Sequence, residues 1–504
     1  MKKFNYQTGR EGGNLLDWLE KQGGEIDARC GGRGLCQGCR VLIDGEEFRS
    51  CQVSLNTLSD GALIEPILEG SVKKTLHALD SFLMDWTPCS GGKGLGLAID
   101  VGTTTVVMAL WDLESGRLLE TVSSGNDQRK FGDNVISRVH HGVEGGDQDL
   151  HQSLVDKTLK PLYEKLEQKL AGVTERVSRI VVAGNPVMLH TLVQLPLDGF
   201  AKYPFTPEFL GRHLASAQTV GFQRHDLEAE LLPGMGAFVG ADIIAGALAS
   251  GMLDGHKKVL LIDFGTNGEI LLKNHDEWSA TATAVGPAFE GGLLACGRPA
   301  DAHAVHHLDL QNEDWVMIGD QENTHDYKGF AGSAYIDYLA LALDEGWIGE
   351  RGRYEKSAPG LEDTTGPCGS VLQQNFGKHI YITEVDLAEL LKAKAAIEAG
   401  IQALLIEAGL KIDDIDQLIV AGGFGYHMNL AHAMRVGLLP QIDPNKVKIV
   451  GNSSLGGASR VLLEKDLIFT LENLSQRVKV IELNLLDSFE DLYLDALCFE
   501  LPSD

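Results

Sequence analysis

Two stretches of this sequence follow one pattern, and that repetition constrains the fold more than any other feature. The first stretch, LAIDVGTTTVVMAL, begins at Leu97, and the second, LLIDFGTNGEILLK, begins at Leu260. Each is typical of an apolar strand that ends near an Asp, a Gly-Thr turn, and a second apolar strand. Because the same hairpin occurs twice, we expect a duplicated architecture with a cleft between its two halves.

The remaining pattern indicates an α/β protein of several domains. From Leu97 onward apolar strands alternate with helices, one of them predicted across residues 132–170, so the central strands of the sheets are expected to be buried. A chain of 504 residues is also too long for one compact core. We therefore predict a small domain, a flexible linker rich in small residues and two larger lobes. Their predicted bounds are 1–68, 69–96, 97–258 and 259–504.

Four cysteines of the small domain lie close together in the sequence. Cys30, Cys36, Cys39 and Cys51 follow the spacing C-x5-C-x2-C-x11-C, which is close to the plant-type ferredoxin pattern for a [2Fe–2S] cluster. The alternative is a structural zinc site, which usually has two C-x2–4-C pairs. Only Cys36 and Cys39 form such a pair, so we predict that the four thiolates bind a [2Fe–2S] cluster. The remaining cysteines, interpreted as small buried hydrophobes or incidental thiols, are Cys89, Cys296, Cys368 and Cys498.

The elements around these cysteines favour a small α+β domain of the β-grasp ferredoxin type. Asn14 is a good N-cap for a helix over residues 14–22, and a hairpin joined by Asp-Gly follows the cysteine loop. A further strand is predicted in the stretch ALIEPI. The segment before the helix is short for the two-stranded hairpin with which plant-type ferredoxins open.

The two repeated hairpins carry residues that suit phosphate and magnesium. Glycine lets a backbone approach phosphate closely, threonine hydroxyls donate hydrogen bonds, and an aspartate binds Mg²⁺ through water. An aspartate at a strand end often only caps a turn, but the duplication favours the metal and phosphate interpretation. The predicted residues are Asp100, Gly102, Thr103 and Thr104 in the first hairpin, Asp263, Gly265, Thr266 and Asn267 in the second, and Gly422, Gly423 and Phe424 in the later stretch VAGGFG.

These three motifs together resemble the two phosphate motifs and the adenosine motif of the ASKHA superfamily, which includes sugar kinases, actin and heat-shock ATPases. The resemblance implies a two-lobed ribonuclease-H-like, actin-like ATPase fold that binds ATP and Mg²⁺ between its lobes. It also implies catalytic roles for Asp100 and Asp263, and contact of adenosine with Gly422, Gly423 and Phe424.

An ASKHA ATPase that follows a [2Fe–2S] domain resembles the reductive activators of corrinoid-dependent methyltransferase systems. Further segments carry the likeness, among them VVAGNPVMLHTL, VGADIIAGALASGM, ATAVGPAFEGG, GSAYIDYLA and AKAAIEAGIQALL. The resemblance implies ATP-dependent transfer of one electron that converts Co(II) of a corrinoid protein to Co(I). It further implies an anaerobic pathway such as O-demethylation and an electron donor such as a flavodoxin, a ferredoxin or a reductase. Whether the chain forms a homodimer stays open.

Two other functions remain as alternatives. One is a small-molecule kinase of the ASKHA superfamily that an iron–sulfur domain regulates. The other is a redox-sensing scaffold without enzymatic activity, in which the ATPase fold only switches binding.

Charge and hydropathy exclude two classes of partner. The formal net charge of −28 repels phosphate backbones and anionic lipids, which argues against nucleic acid and membrane surfaces as partners. No stretch is apolar for long enough to serve as a signal peptide or to span a bilayer. We therefore expect a cytoplasmic protein.

Overall fold

The computed structural model describes residues 3–6, 13–22, 39–66, 92–311, 314–320, 327–366, 369–377, 379–425 and 428–500. The chain divides into two compact units. The first unit comprises Met1–Ser71, Pro287–Lys392 and Phe499–Asp504, and the second comprises Val72–Gly286 and Ala393–Cys498. No helix in the described part of the chain is both long and apolar enough to cross a membrane.

The N-terminal part of the first unit is a four-stranded antiparallel sheet covered by one helix. The strand order is β1-β4-β2-β3, and Leu15 and Leu19 of the helix pack against Val41 and Ile64 of the sheet. The predicted helix and hairpin are both confirmed, and the Oδ1 atom of Asn14 accepts from the backbone N–H of Asp17 at 2.9 Å. The elements are β1 (Phe4–Asn5), α1 (Leu15–Lys21), β2 (Arg40–Ile43), β3 (Glu46–Arg49) and β4 (Leu63–Pro66).

The second unit begins with a six-stranded mixed sheet in the order β7-β6-β5-β8-β10-β9. Strands β5, β6 and β7 form an antiparallel meander, and β8 and β10 extend it in parallel with β5. The elements are β5 (Leu95–Val101), β6 (Thr105–Asp112), β7 (Arg117–Gly125), α2 (Val135–His141), α3 (Asp147–Leu154), α4 (Lys160–Lys169), α5 (Val173–Arg176), β8 (Val177–Gly184), α6 (Pro186–Leu192), α7 (Asp198–Ala201), β9 (His213–Ser216), β10 (Glu228–Leu231) and α8 (Ala241–Ser250).

The prediction of one continuous helix across residues 132–170 is wrong. Helices α2, α3 and α4 are separated by π-helical turns at Gly142–Gly146 and Val155–Leu159. Gly145 has φ 99°, a backbone conformation outside the helix that glycine adopts without strain. The Gly-Gly pair therefore interrupts an apolar pattern that is otherwise continuous.

A second meander follows and then the chain returns to the first unit. The meander consists of β11 (Val259–Phe264), β12 (Gly268–Asn274) and β13 (Glu277–Thr283). In the first unit two three-stranded sheets form, in the orders β15-β14-β16 and β17-β18-β19. Their elements are β14 (Ala304–Gln311), β15 (Asp314–Gly319), β16 (Gly329–Phe330), α9 (Gly332–Asp344), β17 (Leu361–Gly366), β18 (Gly369–Gly377), β19 (Ile380–Thr383) and α10 (Glu384–Glu407), which continues into the second unit.

The last part of the second unit completes another six-stranded sheet, in the order β21-β20-β11-β12-β13-β22. It repeats the first sheet, because an antiparallel meander is again extended by two strands parallel to its first strand. The predicted α/β duplication is therefore confirmed. The elements are β20 (Gln417–Ala421), α11 (Leu430–Arg435), β21 (Val447–Ile449), α12 (Ser453–Leu463), α13 (Leu467–Arg477), β22 (Lys479–Val480) and α14 (Phe489–Ala496).

Helices α8 and α12 join the two sheets of the second unit in one apolar core. That core contains residues of both sheets and of both helices. Glycines at the contact let the helices approach closely, since a Cβ atom at Gly457 would overlap the backbone of Ala245. Both helices begin beside the repeated hairpins.

Candidate functional site

The turns of the two repeated hairpins meet within the second unit. Thr104 follows β5, Thr266 follows β11, and their hydroxyl oxygens are 2.7 Å apart, a hydrogen bond in which either group is able to donate. Thr103 and Thr266 are buried, whereas Thr104 is half-buried. The fold therefore brings together two hydroxyl groups that are 162 residues apart in sequence.

Asp100, at the end of β5, is held by the start of α12. Asn452 Nδ2 donates to Asp100 Oδ2 at 2.8 Å, and Ser454 Oγ donates to Asp100 Oδ1 at 2.8 Å. Asn452 also caps α12, because its Oδ1 atom accepts from the N–H of Leu455. Burial raises the pKa of Asp100, and these two hydrogen bonds oppose the rise.

Asp242 and Glu269 add two further carboxyl groups to the same region. Asp242 lies in the first turn of α8, and Glu269 lies in β12 directly opposite Asp263 in the strand register. Burial and then the negative charge of Asp100 raise the pKa of Asp242 to about 7. The pKa of Glu269 is raised well above its usual value, first by burial and then by the charge of Asp242.

This carboxylate cluster, defined as Asp100, Asp242, Asp263 and Glu269, suits a divalent cation. The buried Oε1 atom of Glu269 has no hydrogen-bond partner among the described residues, and carboxylate oxygens are the ligands that Mg²⁺ prefers. In the described part of the chain no three His, Cys, Asp or Glu side chains are arranged to hold a metal ion directly.

The stretch VAGGFG lies beside the second hairpin turn. Gly422 has φ 94°, and a Cβ atom there would overlap the carbonyl of Phe264, so only glycine fits. The rings of Phe264 and Phe424 meet edge to face with centroids 5.9 Å apart. Gly423 is exposed, and no described atom lies within 4 Å of the position that a Cβ atom would take there.

In the first unit, two of the four clustered cysteines lie at one end of a hairpin. Cys39 precedes β2 and Cys51 follows β3, and Arg40 pairs with Arg49 in the strand register. The N–H and the Oγ of Ser50 donate to the carbonyl of Cys39 at 2.8 and 2.9 Å, which fixes this end of the hairpin. Cys30 and Cys36 lie outside the described residues.

The remaining cysteines have different surroundings. Cys296 is buried in the first unit, and burial raises the pKa of its thiol to about 12, as expected of a structural cysteine. Cys498 is exposed. Cys89 and Cys368 lie outside the described residues.

Several polar residues of the site were not singled out from the sequence. Asp242 and Glu269 stand in the segments VGADIIAG and IDFGTNGE, and Asn452 and Ser454 stand in VGNSS. For Asn452 and Ser454 the available signal was a short polar run at the start of an apolar helix. Asn185 was also missed: it caps α6 and donates from Nδ2 to Thr103 Oγ1 at 3.0 Å.

Comparison with known proteins gives consistent matches. The model of the RACo middle region matches residues 95–255, and the model of the C-terminal domain of RACo, the ASKHA domain, matches residues 257–502. The corrinoid activation enzyme RamQ of Eubacterium limosum is 32% identical over 398 residues, which cover 74% of this chain and 64% of RamQ. The chain thus spans slightly less than two thirds of that relative.

Two further relatives match over most of their length. The [Co(II) methylated amine-specific corrinoid protein] reductase of Methanosarcina barkeri is 25% identical over 436 residues, covering 80% of this chain and 77% of the relative. A solved structure described as a reductive activator for corrinoid, iron-sulfur protein is 26% identical, with a TM-score of 0.73. It covers 96% of this chain, and 95% of that structure is matched.

Proposed function

Because two models of the RACo family match residues 95–255 and 257–502, the chain belongs to that family, and we propose that it is an ATP-dependent reductive activator of a corrinoid protein. In the proposed reaction one electron from a [2Fe–2S] cluster converts inactive Co(II) to Co(I). The names of the relatives, a corrinoid activation enzyme and a corrinoid protein reductase, support this assignment.

The observation that carries the nucleotide part of the proposal is the meeting of the two hairpin turns beside the carboxylate cluster. Thr104 and Thr266 are in direct contact and together suit a phosphate group that both turns approach. We assign Asp100 and Asp263 to Mg²⁺ through its bound water, and Gly422, Gly423 and Phe424 to adenosine. Mg²⁺, when bound, neutralises the charge of the phosphates and of the cluster.

The iron–sulfur part of the proposal assigns Cys30, Cys36, Cys39 and Cys51 as ligands. A plant-type [2Fe–2S] cluster supplies a one-electron carrier at about −400 mV. Moving one electron uphill by 100 mV costs about 2.3 kcal/mol. We therefore propose that ATP acts through a conformational change, which alters how the activator docks on the corrinoid protein. Neither protein is phosphorylated in this scheme.

The remaining assignments belong to the same proposal. We keep the division into a ferredoxin-like domain at 1–68, a linker at 69–96 and ATPase lobes at 97–258 and 259–504, which the boundary between the two family models near residue 256 supports. The electron donor would be a flavodoxin, a ferredoxin or a reductase in the cytoplasm of an anaerobic cell. An O-demethylation pathway and a homodimer stay predictions.

An anaerobic reconstitution tests the proposed function. Reduced protein, a Co(II) corrinoid protein and Mg-ATP are mixed, and the visible spectrum is followed for Co(I) while released phosphate is measured. We expect Co(I) only when ATP is present, and phosphate release that the corrinoid protein stimulates.

Other outcomes point to the alternatives. A phosphorylated protein or small molecule would favour the kinase, and [2Fe–2S] absorbance without ATP hydrolysis would favour the scaffold. Zinc in place of iron in the isolated protein would overturn the proposal.

A further inference from the structure

The first hairpin turn is held from behind by two residues that follow β7 in the chain, Asn126 and Arg138. Asn126 follows β7, its N–H donates to the carbonyl of Thr104 at 2.8 Å, and its Nδ2 donates to the carbonyl of Gly102 at 2.9 Å. Arg138 of α2 donates from Nη2 to the carbonyl between them, that of Thr103, at 2.7 Å. Three consecutive carbonyl groups of the turn are thus held from one side.

Arg138 is fully buried and its guanidinium group is fixed by several acceptors. Nε donates to the carbonyl of Gly132 at 3.0 Å and Nη1 to Gln128 Oε1 at 3.1 Å. Nη1 also lies 3.3 Å from the sulfur of Met188. Helix α2 is itself fixed at its start by the capping box of Asn134 and Ser137, so the position of Arg138 along the helix is well defined.

These contacts determine where the N–H groups of the turn point. In a planar trans peptide the N–H points opposite to the carbonyl of the same unit. The carbonyls of Gly102 and Thr103 point toward Asn126 and Arg138, so the N–H groups of Thr103 and Thr104 point to the opposite side of the turn. Within the described residues neither N–H group donates a hydrogen bond to the backbone.

We propose that Arg138 is a positioning residue for the phosphates of a nucleoside triphosphate. It keeps the turn in the orientation that presents the N–H groups of Thr103 and Thr104 to an anion, and it places a buried positive charge behind them. The inference rests on the nucleotide site of the proposed function, and it does not depend on the corrinoid protein or on the iron–sulfur cluster.

The test compares a ligand that has phosphates with one that lacks them. The full-length chain and the variants Arg138→Met and Arg138→Lys are titrated with ATP and with adenosine in the presence of Mg²⁺. For Arg138→Met we expect ATP affinity to fall by about tenfold or more, with adenosine affinity within about twofold of the unmodified chain. Arg138→Lys keeps the charge but loses the forked geometry, so an intermediate loss is expected.

Arg179 offers a matched control. Arg179 lies in β8, which pairs with β5 of the first repeated hairpin. Its Nη1 atom donates to the carbonyls of Val461 and Leu462 at 2.8 and 2.7 Å, and its Nη2 atom donates to Glu230. Arg179→Met removes an equally well-bonded guanidinium group, so it lowers the melting temperature without changing the ratio of ATP to adenosine affinity.

The outcomes separate this inference from the proposed function. If the unmodified chain binds ATP, but Arg138→Met lowers ATP and adenosine affinity equally or changes neither, the positioning role is wrong. Where Arg138→Met does not fold, the same ratio in Arg138→Lys decides. If the unmodified chain binds no ATP at all, the nucleotide site of the proposed function is itself overturned, and the inference with it.

Discussion

Asp242 and Glu269 are neighbouring buried acids, and burial is the main cause that raises the pKa of each. The negative charge of Asp100 adds to the rise at Asp242, and the negative charge of Asp242 adds to the rise at Glu269. Without a cation, full ionisation of both groups is therefore unfavourable in the folded protein. A divalent cation would offset the negative charges of the cluster, so these residues would favour cation binding at a cost to the stability of the cation-free protein.

Replacement of Asp242 by Asn separates the effect of the cluster on folding stability from its effect on cation binding. The amide donates a hydrogen bond to Glu269 without a titratable proton and removes one negative charge, so Asp242→Asn is expected to raise the melting temperature in EDTA by about 2–4 °C. Loss of one anionic group near the cation is expected to lower ATP hydrolysis by about a hundredfold. Thermal unfolding and phosphate release measure the two effects.

Asp226→Asn is the matched control for Asp242→Asn. Asp226 is largely exposed and pairs with Arg224 at 2.6 Å, so neither the melting temperature in EDTA nor ATP hydrolysis should change appreciably. Full hydrolysis by Asp242→Asn would mean that the carboxylate cluster does not serve the nucleotide.

At the residue level, the sequence pointed to Asp100 and Asp263 because a repeated pattern of apolar strand, Asp and Gly-Thr is local and visible. It did not point to Asp242 or Asn452, whose roles depend on where α8 and α12 begin and on which turn each helix start faces. Those contacts join positions that are distant in sequence, as the separation of 352 between Asp100 and Asn452 shows. No local propensity contains that information.

Helices α8 and α12 carry site residues at their starts and contact each other along their length. Asp242 begins one helix and Asn452 caps the other. The close contact depends on glycine, because a Cβ atom at Gly457 would overlap the backbone of Ala245. The spacing between the two helices is therefore one determinant of the distance between Asp100 and Asp242.

Gly457→Ala tests this contact. The added methyl group meets backbone atoms that cannot rotate away, so the helices must separate and the free energy of unfolding is expected to fall by about 1–3 kcal/mol. ATP hydrolysis should fall as well, since both helix starts move. Chemical denaturation measures the first effect, with Gly211→Ala as control because a Cβ atom there has open space. Equal stability of the two variants would contradict the argument.

Helix α6 supplies a pH-dependent element through His190. This buried imidazole bonds to the carbonyl of Pro186 at 2.7 Å through Nδ1, and the N–H of Phe209 approaches its Nε2 at 3.3 Å. Burial lowers its pKa from 6.5 to about 4. Because the folded pKa lies below the unfolded value, the stability that neutral His190 contributes is complete above pH 6.5 and is lost as the pH falls toward 4.

His190→Gln is therefore expected to weaken the dependence of the melting temperature on pH between 6.5 and 4. The comparison is made between melting curves of the variant and of the unmodified chain across that range. His225→Gln serves as control, because His225 is exposed and its Nε2 atom lies 3.1 Å from the side-chain Nε2 atom of Gln218. An unchanged pH profile in His190→Gln would show that other groups dominate acid unfolding.

At the element level, local patterns were sufficient for α1, for the β2–β3 hairpin and for both repeated hairpins. They failed for the interval from α2 to α4, where Gly145 interrupts an apolar period that looked continuous. They also gave no sign that Met1–Ser71 and Pro287–Lys392 form one compact unit. That association depends on tertiary contacts between segments that are more than two hundred residues apart in sequence.

At the scale of the whole molecule, the residues assigned to electron transfer and those assigned to the nucleotide belong to different compact units. Cys39 and Cys51 lie in the first unit, and the carboxylate cluster lies in the second. Each unit has its own sheets, and among the described residues the apolar core beneath the nucleotide residues and the apolar core of the cysteine domain share no member. Loss of the predicted iron–sulfur cluster should therefore leave nucleotide binding intact, and loss of nucleotide binding should leave the cluster intact.

Cys39→Ser tests this separation in the full-length chain. A serine oxygen is a poor ligand for iron compared with a thiolate, so the variant is expected to lose most of its iron and the [2Fe–2S] absorbance. It should form no Co(I) with a corrinoid protein and Mg-ATP. Its ATP affinity should stay within about twofold of the unmodified chain, because no contact in the second unit changes.

Cys498→Ser is the matched control for this change. Cys498 is exposed and belongs to the second unit, so its replacement should preserve iron content, ATP binding and Co(I) formation. Cobalt reduction by Cys39→Ser would mean that the electron does not pass through the predicted cluster. Loss of ATP binding in Cys39→Ser would mean that the nucleotide site depends on the iron–sulfur cluster for its folding. The two compact units would then fold as one cooperative structure.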